Sequence, residues 1–129
     1  TPDMTNQTPA PVYLNLFRIR FPVGAVTSIA HRLSGVCLFL SLPLWIYLLD
    51  LSLAGPEGFA QALGILQSLW IRIGLLLVAW SFFHHLFAGV RFLLLDTGIG
   101  CELPQARRSA WFVNVAGLAM ALACAGWLL

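Results

Sequence analysis

Trp80-Ser81-Phe82-Phe83-His84-His85-Leu86-Phe87-Ala88-Gly89-Val90-Arg91 is the stretch on which the reading of this chain turns. It lies inside an apolar run from Ile73 to Leu95. About 20 helical residues rising 1.5 Å each cross the roughly 30 Å hydrocarbon core of a bilayer, so the run is long enough to span one. The histidine pair falls at its midpoint. An ionisable side chain at that depth is costly and reads first as functional.

The rest of the chain has the composition of a membrane protein. Of 129 residues, 60% are hydrophobic and 9% charged, against about 25% charged in an ordinary soluble domain. Mean hydropathy is +0.87. The expected class is all-α and integral to the membrane, a single anchor domain over 1–129. That length suits three spans with short connections and leaves no room for a soluble catalytic domain. The seven basic residues are all Arg, against five acids. They form no dense patch, which argues against nucleic-acid binding. Cys37 and Cys124 fall in apolar runs and Cys101 in a loop. With no C-x-x-C-H, covalent haem attachment is not expected.

Taken in order, Thr1 to Pro11 is a polar, Pro- and Thr-rich tail without the apolar core of a signal peptide. Val12 to Val23 reads as a short interfacial segment, with Pro22 ending it or starting the next helix. The first span is expected over about 24–49, kinked at Pro43 and closed by Asp50. Gly55-Pro56-Glu57-Gly58 signals a turn, and Phe59 to Leu69 a short interfacial helix. The second span covers 73–95. Asp96 to Pro104 reads as a loop, with Arg107 and Arg108 preceding a third span over 110–129. That last span is rich in Ala and Gly, which permits close packing. It holds no ionisable residue and reads as a packing helix. Arg18, Arg20, Arg107 and Arg108 place the N-terminus on the cytoplasmic or matrix side by the positive-inside rule.

Two groups of residues carry candidate chemistry. A neutral imidazole in a helical bundle is a common axial ligand of haem iron. Adjacent helical residues point about 100° apart, so His84 and His85 cannot hold both faces of one porphyrin. His85 shares a face with Gly89, and His84 with Ala88. Both neighbours are small, so spacing alone only weakly prefers His85. The alternative is a pair of neutral histidines bonded to backbone or to partner chains.

The second group is Ser28, His31 and Arg32, spaced to share one face at the shallow end of the first span. A hydroxyl and a guanidinium there can grip quinone carbonyls or a haem propionate. Counting 1.5 Å per residue, His31 lies about 10 Å and His85 about 15 Å from the same side. The two groups are therefore expected to be neighbours. Asp96 and Glu102, also on that side, can pass protons or simply sit in water.

Ile19-Arg20-Phe21-Pro22, Ser28-Ile29-Ala30-His31-Arg32-Leu33-Ser34-Gly35 and His85-Leu86-Phe87-Ala88-Gly89-Val90-Arg91, followed by Asp96-Thr97-Gly98, resemble the cytochrome b556 membrane-anchor family of succinate dehydrogenase, respiratory complex II. The likeness runs from Pro11 to the C-terminus, through Ser52 to Phe59 and Arg107-Arg108-Ser109. It implies a subunit of the respiratory chain and tricarboxylic acid cycle in a bacterial inner or mitochondrial inner membrane. A second three-helix anchor would pair with it, beneath an iron–sulfur subunit and a flavoprotein that carry the clusters and FAD. No catalysis is expected of this chain alone.

The resemblance implies haem b shared between the two anchors, with His85 as this chain's axial ligand to iron. It implies ubiquinone contacts at Ser28 and Arg32, propionate contacts at His31 and Arg32, and a proton route near Asp96 and Glu102. Some family members carry a second His seven residues past the ligand, where this chain has Phe92. A quinol:fumarate reductase anchor shares the architecture. A haem-free membrane scaffold is the reading from a different class.

Overall fold

The computed structural model describes residue 15 and residues 17–128. The polar tail over 1–11 and the start of the expected interfacial segment lie outside the described residues. Four helices follow one another: α1 (Val23–Leu53), α2 (Pro56–Gln67), α3 (Leu69–Asp96) and α4 (Leu103–Leu128). Among the described residues there is no strand, and α1, α3 and α4 are each long and apolar enough to cross a membrane. The chain is thus an all-α, multi-pass membrane protein.

Each boundary has a local cause. Pro22 stands immediately before α1 in an extended conformation, and its carbonyl accepts from the amides of Ala25 and Val26. α1 continues through Pro43 and past Asp50 to Leu53, so Asp50 lies in the last turn instead of closing the span. Gly55, at φ 111°, makes the corner into α2, where Pro56 takes the first turn that tolerates its missing N–H. α3 ends in a Schellman turn. The Ile99 amide donates to the Leu94 carbonyl at 3.0 Å, and that of Gly98, at φ 84°, to Leu95 at 2.9 Å.

α4 begins earlier than expected. Pro104 is its second residue, where it costs no helical hydrogen bond. Arg107 and Arg108 consequently belong to the helix instead of preceding it.

α3 packs against both α1 and α4. The seam uses small residues: Ala88, Ala110, Gly117 and Ala121 are buried. Large apolar side chains face outward, among them Phe39, Leu40, Ile46, Phe112 and Leu122. This arrangement is expected where lipid or an apolar partner replaces water, because helix association then depends on close packing.

Candidate functional site

The buried face of α3 carries Ser81, His84, Ala88 and Arg91. Their spacing of three, four and three residues is one stripe of an α-helix. His84 is 1% exposed. Its Nε2–H donates to Asn114 Oδ1 at 3.1 Å across the seam with α4. The Thr27 hydroxyl on α1 lies 3.1 Å from the same oxygen and 3.0 Å from the Val23 carbonyl, one proton serving two acceptors. Asn114 thus joins three helices. Gly117 permits the approach, since a Cβ there would stand 3.2 Å from Cα and Cβ of His84.

His85, about 100° round the helix, faces α1 instead. Its Nδ1 lies 3.1 Å from the His31 carbonyl and 3.2 Å from Ser34 Oγ. The Ser34 hydroxyl donates its proton to that same carbonyl at 2.7 Å. Both neighbours of Nδ1 are therefore acceptors, so in the neutral ring Nδ1 carries the hydrogen and Nε2 the free lone pair. Nε2 has no hydrogen-bond partner among the described residues. Adjacent histidines are held in opposite tautomers: His84 presents Nε2–H to Asn114, and His85 presents Nδ1–H to α1. Gly35 makes room, because a Cβ there would meet His85 Cε1 at 3.0 Å.

His31 stacks on His85, with ring centroids 4.1 Å apart and planes 11° from parallel. The edge of Phe92 meets the His31 ring at 5.3 Å. The neighbourhood expected from counting residues along two antiparallel spans is thus a direct contact. A Cβ at Gly89 would be 3.7 Å from His31 Nε2, an ordinary contact. Ser28 and Arg32 lie about 60° and 100° round α1 from His31. Ser28 is half-buried and Arg32 exposed. They occupy the outer shoulder of the His31 face and do not enter the stack. Asp96 ends α3, and Glu102 stands just before α4; both are exposed.

Two residues escape a reading of the sequence alone, and a third is named there only as part of a motif, without its partners. Asn114 and Thr27 are uncharged, and a search of the spans for ionisable groups passes over them. A lone amide in an apolar run is the available signal. Arg91 is the third, 8% exposed despite its charge. Its Nε donates to Ser109 Oγ at 2.9 Å and an Nη to the Ala106 carbonyl at 3.0 Å, tying α3 to the start of α4. Its guanidinium also lies 5.4 Å from the Phe92 ring centre. A cavity of about 390 Å³ beside it is lined by Phe87, Leu95, Gln105 and Phe112 among others. A second cavity, of about 790 Å³, is lined from all four helices, by Trp45, Leu66, Phe82 and Trp127 among others. Neither is lined by Ser28, Arg32 or His85.

Comparison with known proteins bears on this arrangement. Residues 4–124 match the family described as succinate dehydrogenase/fumarate reductase transmembrane subunit. The succinate dehydrogenase cytochrome b556 subunit of Coxiella burnetii is 36% identical over 92% of this chain and 95% of its own length. That of Paracoccus denitrificans is 33% identical over 81% of each chain. The Rickettsia felis subunit of the same name is 26% identical over 93% of this chain and 92% of its own. With the family match extending over almost the whole chain, this protein belongs to the succinate dehydrogenase/fumarate reductase transmembrane subunits.

Proposed function

We propose that this chain is the haem b- and quinone-binding membrane anchor of a succinate:quinone oxidoreductase, helping pass electrons from an iron–sulfur subunit to ubiquinone. The observation that carries the reading is the His85 imidazole, held through Nδ1 by the His31 carbonyl and Ser34 with Nε2 left unclaimed. Metal-binding histidines characteristically donate their other N–H to a carbonyl or carboxylate, which fixes the tautomer and raises ligand basicity. Among the described residues no three His, Cys, Asp or Glu side chains cluster to chelate an ion. A single prepared imidazole suits a metal that brings its own equatorial donors, as porphyrin iron does.

His85 would hold the haem iron in this reading, and a histidine of a second three-helix anchor would supply the other ligand. When bound, haem b supplies a one-electron redox centre. His31 and Arg32 would hold a propionate, to which a guanidinium can give a charge-assisted hydrogen bond. Ser28 and Arg32 bind ubiquinone on the shoulder of α1, the hydroxyl donating to a carbonyl and the guanidinium stabilising negative charge that develops on its oxygens. Asp96 and Glu102 deliver protons from the cytoplasmic or matrix side. The iron–sulfur subunit and the flavoprotein, with its FAD, dock on that side. The outward apolar surface meets lipid and the second anchor in a bacterial or mitochondrial inner membrane.

A reduced-minus-oxidised absorbance spectrum of the purified complex tests this reading. The expected result is a b-type spectrum that His85→Ala abolishes or converts to a different ligation state. A complex with no haem absorbance leaves only a membrane scaffold, and a b-type spectrum indifferent to His85→Ala places the ligand on another residue.

A further inference from the structure

Two adjacent histidines sit in one helix, and only His85 has a role in the proposed chemistry. We propose that His84 is a positioning residue: through Asn114 and Thr27 it sets the rotation of α3, and so the direction in which His85 presents Nε2. This inference rests on the reading of His85 as a haem ligand.

One turn of α1 grips both histidines. Thr27 reaches His84 through the Asn114 amide, and His31, four residues on, takes His85 by its carbonyl and its ring. The two attachments lie about 100° apart on α3, so they oppose rotation in either sense. A rotation of about 10° moves an imidazole lying about 6 Å from the helix axis by about 1 Å. Misplacement on that scale is enough to impair chemistry at a distant centre.

The His84 attachment is buried in the seam with α4. The His84 side chain is enclosed, its ring lies 5.3 Å from that of Trp80 between centroids, and Gly117 closes on its backbone and Cβ. The structure tolerates an orphaned His84 Nδ1 in a buried site, a cost met here to keep Nε2 on Asn114. A histidine that only filled space would be better replaced by an apolar side chain, since an unpaired buried polar group is unfavourable.

The test uses the assembled complex. His84→Phe and Asn114→Leu keep approximate volume and remove the hydrogen bond, whereas His84→Gln keeps a side-chain donor for Asn114. The readout is the electron paramagnetic resonance signature of the low-spin ferric haem, which reports axial-ligand orientation, together with haem content per complex. We expect near-unchanged haem content, shifted g-values in His84→Phe and Asn114→Leu, and a return towards the unaltered signature in His84→Gln. Thr27→Val removes one hydroxyl and leaves the seam filled. It is expected to give a smaller shift in the same direction, and it decides the question if His84→Phe does not assemble. Unaltered g-values in Asn114→Leu and Thr27→Val would overturn the positioning role while leaving His85 as ligand. Absence of haem from the unaltered complex overturns the ligand reading itself, and this inference with it.

Discussion

His31 and His85 stack face to face, 4.1 Å between ring centres and 11° from parallel, while the His31 backbone carbonyl lies 3.1 Å from Nδ1 of the same partner. One residue of α1 therefore serves His85 twice, with its ring against the imidazole face and its carbonyl against the imidazole edge. The carbonyl contribution does not depend on the side chain. Replacing His31 removes the stack and leaves Nδ1 its acceptor.

That division makes His31→Ala informative about haem ligation. On the proposed reading His85 supplies one ligand from this chain, and a six-coordinate b haem needs two. The second is expected from a partner anchor. The His31→Ala complex should therefore retain a low-spin haem spectrum, with a lower haem affinity where the propionate contact is lost. The chain produced without its partner should not hold low-spin haem stably. Low-spin haem on the isolated chain that disappears on His31→Ala would make His31 the second ligand instead.

The α3–α4 seam predicts a contrast between two glycines of one helix. At Gly117 an added Cβ meets the backbone and Cβ of His84 at 3.2–3.4 Å, atoms that cannot swing away. At Gly126 it meets nothing within 4 Å. Overpacking of this kind typically costs about 1–3 kcal/mol, whereas Gly→Ala in an open helical position gains up to about 1 kcal/mol. Gly117→Ala should lower the thermal midpoint of the purified complex, and Gly126→Ala should leave it level or raise it. Equal midpoints would mean that α4 shifts freely over His84.

Arg91 should prove structural. It bridges α3 to Ser109 Oγ and the Ala106 carbonyl with a geometry that a guanidinium fork reaches and an ammonium does not. Hydrogen bonds from a charged donor are worth about 1.5–3 kcal/mol. Arg91→Met is expected to reduce thermal stability by an amount of that order, with Arg91→Lys recovering only part of it. A stable Arg91→Met complex would show that the bridge is dispensable.

How far the sequence carries this picture depends on the kind of signal. Apolar length makes the three spans visible, and Gly55-Pro56 makes the α2 corner visible, because both are local. The start of α4 is misplaced because Pro104 reads as a loop residue, yet proline is at home in a first helical turn. The choice between His84 and His85 is not legible from spacing, since each has a small residue at i+4 on its own face. The two rings differ in what stands opposite them, Asn114 in one case and the α1 backbone in the other. Those contacts join residues 30 and 54 apart in the chain, beyond the reach of any periodicity argument. Arg91 illustrates the same point: its partners lie 18 and 15 residues downstream.

Quinone reduction gives the last prediction. Two electrons and two protons convert a quinone to a quinol, and negative charge develops on its oxygens along the way. Arg32 is exposed on the outer shoulder of α1 and Ser28 half-buried one turn before it, so both are open to a ligand from outside the helix bundle. His31, between them in sequence, is turned into the stack with His85. Removing a hydrogen-bond donor that acts mainly in the transition state typically costs about 10²–10³ in rate. We expect Arg32→Leu to lower succinate:quinone activity by about that factor, and Ser28→Ala to lower it less, because a neutral hydroxyl stabilises developing charge more weakly than a guanidinium. Succinate oxidation by a soluble dye that accepts electrons upstream should persist in both, since the flavin belongs to another subunit. The haem spectrum of the same preparations separates a quinone defect from a lost propionate contact at Arg32. Normal quinone turnover and affinity in both assembled variants would move the site off α1, and the cavity of about 390 Å³ beside Arg91 and Gln105 would be the next place to look.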